Sequence, residues 1–166
     1  MKKIIIIAAI AAVALVSCSK DKNEPSYKNA YTYNGETFNI VWAKLYNPPS
    51  GYQFAISPTV PAGDIDDELN FFVFECPVEA LGKKIEFQNF YYILDWYPYV
   101  ALNYNGNMYE GADENDWDLS GSDNWAKATK NSGANNFTIE FAMTLDGKRL
   151  EGQYTGTFAI VGDWIW

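Results

Sequence analysis

The stretch from Phe137 to Tyr154 restricts this chain more than any other. Phe137, Ile139, Phe141, Met143 and Leu145 alternate with Thr138, Glu140, Ala142 and Thr144. A period of two places successive side chains on opposite faces of a strand. Asp146-Gly147 then supplies the two positive-φ residues of a type I′ turn, a common two-residue hairpin connection. Such a loop sets Met143 opposite Leu150, Phe141 opposite Gly152 and Ile139 opposite Tyr154, with Glu140 opposite Gln153 on the other face. Both strands sort into one apolar and one polar face in a single register, and a one-residue slip would turn every side chain over. The body of this chain is therefore expected to be antiparallel sheet.

The same grammar recurs. Asn34-Gly35 predicts a hairpin with Tyr31 opposite Phe38 and Thr32 opposite Thr37, its second strand continuing through Ile40, Trp42 and Tyr46 until Asn47-Pro48-Pro49-Ser50-Gly51 ends it. Asn105-Gly106 predicts a third, with Leu102 opposite Tyr109. Further strands are expected near Tyr52–Ser57, Leu69–Cys76, Lys84–Leu94 and Thr157–Val161. Pro77 to Leu81 reads as one helical turn with proline at its first position. Two connections are long and acidic, Pro58 to Glu68 and Ala112 to about Asn124, and the flanks of the second read as strands. About ten short antiparallel strands predict an all-β domain, either a β-sandwich or a meander curled into an open lipocalin-like barrel. The doubly apolar run Phe71–Phe74 needs cover on both faces, which favours a central strand and the sandwich.

The first residues are of another kind. Met1-Lys2-Lys3 precedes an apolar run from Ile4 to Val16, followed by Ser17-Cys18. Basic start, short apolar core and small residue before a cut are the parts of a secretory signal. The 13-residue run is shorter than the roughly 20 residues of a membrane-spanning helix. Leu15-Val16-Ser17-Cys18 resembles the lipobox of bacterial lipoproteins, which implies cleavage before Cys18 and acylation of its thiol. Several acyl chains anchor stably where one binds only marginally. The expected organisation is a signal over residues 1–17, a lipidated polar tether over 18–29, and a single all-β domain over 30–166. Ser19 stands where an inner-membrane retention signal would carry Asp, so the resemblance implies the outer membrane. Asp21 and Glu24 weakly resemble acidic surface-export signals, although Lys20 and Lys22 interrupt the match.

Composition narrows the chemistry. With Lys2 and Lys3 removed, ten basic residues face 21 acidic ones, a net charge of −11. That balance argues against nucleic acid, whose phosphates need Lys and Arg. The chain has no histidine, which removes Ser-His-Asp triads, Cys-His pairs and the usual zinc sets. Cys76 is left without a disulfide partner once Cys18 is the anchor and is expected to be buried and inert. No glycine loop has the spacing that cradles phosphate.

Several constellations remain. In the loop from Asp113 to Asn124, Asp116, Asp118, Ser120 and Gly121 match positions one, three, five and six of an EF-hand calcium loop. Lys127 falls where the bidentate Glu belongs. Asp116, Asp118 and Ser120 are thus metal candidates only for a looser calcium cage, with a solvated acidic loop as the plain alternative. Trp117 and Trp125 bracket Asp118, Asp123 and Asn124, a pattern suited to a glycan: rings stack on sugar C–H faces while Asp and Asn bond hydroxyls. The plain alternative is that each Trp pins the loop to the domain. Phe90 to Tyr99 is a dense aromatic run, either core on both faces or a patch for a partner. Carboxylates are plentiful, yet none is singled out as an acid/base pair.

Two segments resemble parts of small Bacteroidota envelope lipoproteins, a group largely without known activity. They are Pro77-Val78-Glu79-Ala80-Leu81-Gly82-Lys83-Lys84-Ile85, and Phe137 through Asp146-Gly147-Lys148 to Gly156. The resemblance implies location and an all-β body. The expectation is a non-catalytic, membrane-tethered envelope lipoprotein that binds a ligand, with a glycan as the candidate. The alternative is a structural or assembly partner of an envelope protein complex. No cofactor is expected beyond the calcium considered above.

Overall fold

The computed structural model describes residues 28–47, 51–61, 70–87, 99–111 and 123–162. The signal, Cys18 and most of the tether lie outside them. So do Asp116, Trp117, Asp118, Ser120 and residues 90–98 of the aromatic run.

Among the described residues, twelve strands form two sheets. In chain order, β1 is Ala30–Tyr33, β2 Glu36–Asn39, β3 Trp42–Tyr46, β4 Gly51–Ser57, β5 Asn70–Pro77 and β6 Ile85–Glu86. They are followed by β7 Val100–Tyr104, β8 Asn107–Gly111, β9 Trp125–Lys130, β10 Asn136–Leu145, β11 Lys148–Thr157 and β12 Ala159–Val161. The first sheet has the order β2-β1-β11-β10-β9-β6 and is antiparallel throughout. The second has the order β12-β3-β4-β5-β7-β8, antiparallel except for the parallel pair β12–β3. The fold is a β-sandwich and not a closed barrel.

All three hairpins take the expected register: Phe141 with Gly152, Tyr31 with Phe38, and Leu102 with Tyr109. The Asn-Gly and Asp-Gly turns hold positive φ at both central residues, from 49° to 80°. Gly152 matters because it faces Tyr31. A Cβ there would stand 2.5 Å from the Tyr31 Cβ and 2.8 Å from Phe141 Cζ.

The continuation of β2 differs from expectation. The strand stops at Asn39, and β3 belongs to the other sheet. Ile40 donates its amide to Asn29 O at 2.9 Å, while Val41 donates to Ser57 O at 3.1 Å. The switch changes parity. Ile40, Ala43 and Leu45 face the core, whereas Trp42 and Tyr46 lie half-buried on the outer face. The expected strand over Thr157–Val161 divides in the same way. Thr157 ends β11, the buried Phe158 donates to Asn135 O, and β12 joins the second sheet. The helical turn is a 3-10 turn over Val78–Ala80, and Pro77 precedes it in extended conformation because it still pairs with Gly51 at the end of β5. Of the strand expected over Lys84–Leu94, Ile85–Glu86 forms β6, and residues 88–94 lie outside those described.

The core lies between the sheets. Phe141 meets Phe72 at 4.3 Å between ring centroids, and Phe137 meets Phe54 at 5.2 Å. Phe71 and Val73 sit on the opposite face of β5 and are also buried, with Ala55 and Ala101 beside them. The doubly apolar run is thus a central strand buried on both faces. Each such side chain contributes about 1.5–3 kcal/mol.

Candidate functional site

Strand direction brings three hairpin turns to one end of the sandwich. Tyr33 pairs with Leu150, so the β1–β2 turn at Asn34-Gly35 lies beside the β10–β11 turn at Asp146-Gly147. From the other sheet, Tyr104 brings the β7–β8 turn at Asn105-Gly106 against them. Asn34 Nδ2 donates to Tyr104 Oη at 3.2 Å, and Tyr104 Oη donates to Glu36 Oε1 at 2.9 Å.

Beneath these turns is an aromatic cluster. The Tyr33 and Tyr104 rings meet edge to face at 5.1 Å, Tyr109 lies 6.2 Å from Tyr33, and Phe38 lies 6.2 Å from Tyr104 and 4.9 Å from Tyr31. Tyr33 is buried and donates to Leu145 O at 3.1 Å. Burial pushes its phenol up to about 12. Phe38, Tyr104 and Tyr109 are half-buried. Around them stand the exposed Asn34, Glu36, Asn107 and Asp146, together with Lys148, whose Nζ lies 2.7 Å from Asp146 Oδ2 and 6.0 Å from the Tyr33 ring. The hydrogen bond that Lys148 donates to Asp146 raises its ammonium above the ordinary value.

This combination has a physical use. Tyr offers a large rigid surface at low entropic cost, and Asn and Gly give adaptable hydrogen bonding. Connections at the end of a rigid sandwich are a usual place for binding residues. Sequence reasoning did not single out Tyr33, Phe38, Tyr104 or Tyr109. One signal was present: Tyr-Asn-Gly occurs at both Tyr33-Asn34-Gly35 and Tyr104-Asn105-Gly106.

The residues expected to bind divide. Asp123 is exposed at this same end, and its carbonyl accepts from Arg149 Nη1 at 3.2 Å. Asn124 is 3% exposed. Its Oδ1 accepts the Thr144 amide at 2.8 Å, extending the β9–β10 ladder by one side chain. Trp125 is 5% exposed on the outer face of the first sheet, beside Ala142, with Lys84 Nζ 4.9 Å from its ring centroid. Its ring is packed as a loop pin would be, not presented as a platform. Trp117, Asp118 and the calcium candidates Asp116 and Ser120 lie outside the described residues. Among those described, no three metal-ligating side chains come together.

A second polar feature lies on the outer face of the second sheet. Glu75 accepts from Gln53 Nε2 at 3.3 Å beside buried Val73. Burial pushes its carboxyl up to about 7, against the opposing effect of that hydrogen bond. Cys76, on the inner face, is buried, and its thiol is pushed up to about 12 by desolvation. It has no thiolate character near neutral pH.

No family model matches the chain, and no curated protein or solved structure matches it.

Proposed function

We propose that this chain is a non-catalytic lipoprotein of the bacterial outer membrane, anchored through Cys18, which binds a glycan at the three-turn end. The observation that carries the reading is the convergence of the half-buried Phe38, Tyr104 and Tyr109 around the buried Tyr33, beneath a rim of Asn34, Glu36, Asn107 and Asp146. Rings supply faces for sugar C–H groups, and amides and carboxylates take hydroxyls. The lipobox-like Leu15-Val16-Ser17-Cys18 supports the anchor.

The test is a glycan array probed with the soluble domain from Pro25, then with Tyr109→Ala and Asn107→Ala. A ligand bound by the parent and lost by at least tenfold in both variants supports the reading. Unchanged binding in both places the site elsewhere.

The assembly-partner reading draws support from β12. It is a three-residue edge strand, and Ile160 is 56% exposed. Edge strands can pair with another chain. An array without binding, together with a partner lost on Ile160→Lys, would favour it.

A further inference from the structure

We propose that the sandwich stands on the membrane with the start of β1 towards the lipid and the three-turn end outward, so that ligand is met on the side away from the bilayer. This rests on the anchored reading above.

The direction of the chain carries the inference. Lys28 and Asn29 lead into β1 at the end where Ala30 pairs with Gln153, and Asn29 Oδ1 accepts the Thr155 amide at 2.9 Å. The open end of the β10–β11 hairpin lies there too, at Asn136 and Thr157, together with the β9–β10 turn around Ser132 and Gly133. The closed end at Asp146-Gly147 is ten residues of strand away. That is roughly 33 Å at strand rise. A chain anchored at Cys18 reaches Lys28 after ten residues. Ten residues span at most about 33–36 Å in any conformation, so the start of β1 stays within that distance of the lipid. The anchor thus holds the β1 end nearer the bilayer than the turns.

Charge acts in the same direction. Lys28 and Lys130 lie at the β1 end, although exposed Glu79 follows the nearby end of β5. Glu36, Asp123 and Asp146 lie at the other and outnumber Lys148 and Arg149 there. An anionic surface repels that end.

The experiment uses the full lipidated chain in phosphatidylglycerol-containing vesicles with Cys76→Ala. A fluorophore is placed at Ser132→Cys or at Asn107→Cys, both exposed positions. A nitroxide on the lipid headgroup should quench the label at 132 at least threefold more than the label at 107. Equal quenching, or stronger quenching at 107, overturns the orientation alone. A chain that does not float with the vesicles overturns the anchored reading and the orientation with it.

Discussion

Ile40 and Val41 are neighbours in the chain and donate their amides to opposite sheets, Ile40 to Asn29 and Val41 to Ser57. Ile40 is 7% exposed and Val41 is 61% exposed. One peptide unit thus joins the two layers, and the side-chain pattern shifts phase there. Phe158 makes a similar tight crossing between β11 and β12. Such crossings, and the close approaches between neighbouring strands, have outcomes that can be measured.

Gly152→Ala should destabilise the domain. The added Cβ meets Tyr31 Cβ, Ala30 O and Phe141 Cζ at 2.5–2.8 Å. Forced overpacking of this kind costs about 1–3 kcal/mol. Urea unfolding with an unchanged midpoint would contradict the register of β1 on β11.

Gly147→Val should cost at least about 1 kcal/mol. Gly147 has φ +67, and a β-branched residue is strained there. The expected result is a lower urea midpoint with the denaturant slope retained.

Trp125→Ala should lower stability by about 3–5 kcal/mol, the cost of emptying a buried tryptophan site. Asn124→Ala should cost about 1–3 kcal/mol by stranding the Thr144 amide. A melting temperature unmoved by Trp125→Ala would restore the platform reading of that ring.

Stability should fall as pH rises from about 4.5 to above 7. Glu75 ionises near 4.5 when unfolded and near 7 when folded. The folded state therefore holds the proton more tightly, and stabilisation present at low pH is lost through that window. Partial solvent access leaves about 1–2 kcal/mol of effect. Glu75→Gln should flatten this part of the profile and be the more stable form at pH 8. A parent and variant with parallel profiles would remove Glu75 as the cause.

The hairpins were legible because their information is local: a period of two, a turn with positive φ, and a register counted outward from it. The sheet crossings were not. Trp42 and Tyr46 share parity with Ile40, and only the phase shift at Val41 shows that Ala43 and Leu45 take the core. The Asp146-Gly147, Asn34-Gly35 and Asn105-Gly106 turns were each visible. Their meeting at Tyr104 was not, because it depends on which strand ends the two sheets bring together. Trp125 was identified as a ring near a polar loop. Its cover by Lys84 comes from a segment about forty residues earlier, which no local pattern reports.

The pairing of β1 with β11 also sets an order of events. Thr32 and Glu151 are 119 residues apart, so β1 has its inner neighbour only when nearly the whole chain is present. Contacts that distant form slowly, because a long loop must close before any bond rewards it. A chain emerging from its N-terminus cannot complete the first sheet until β11 has appeared. Until then β1 and β2 form a lone hairpin, marginal in water. The second sheet can pair from β3 to β8 before that, so the first sheet is the part that closes late, when β10 and β11 arrive.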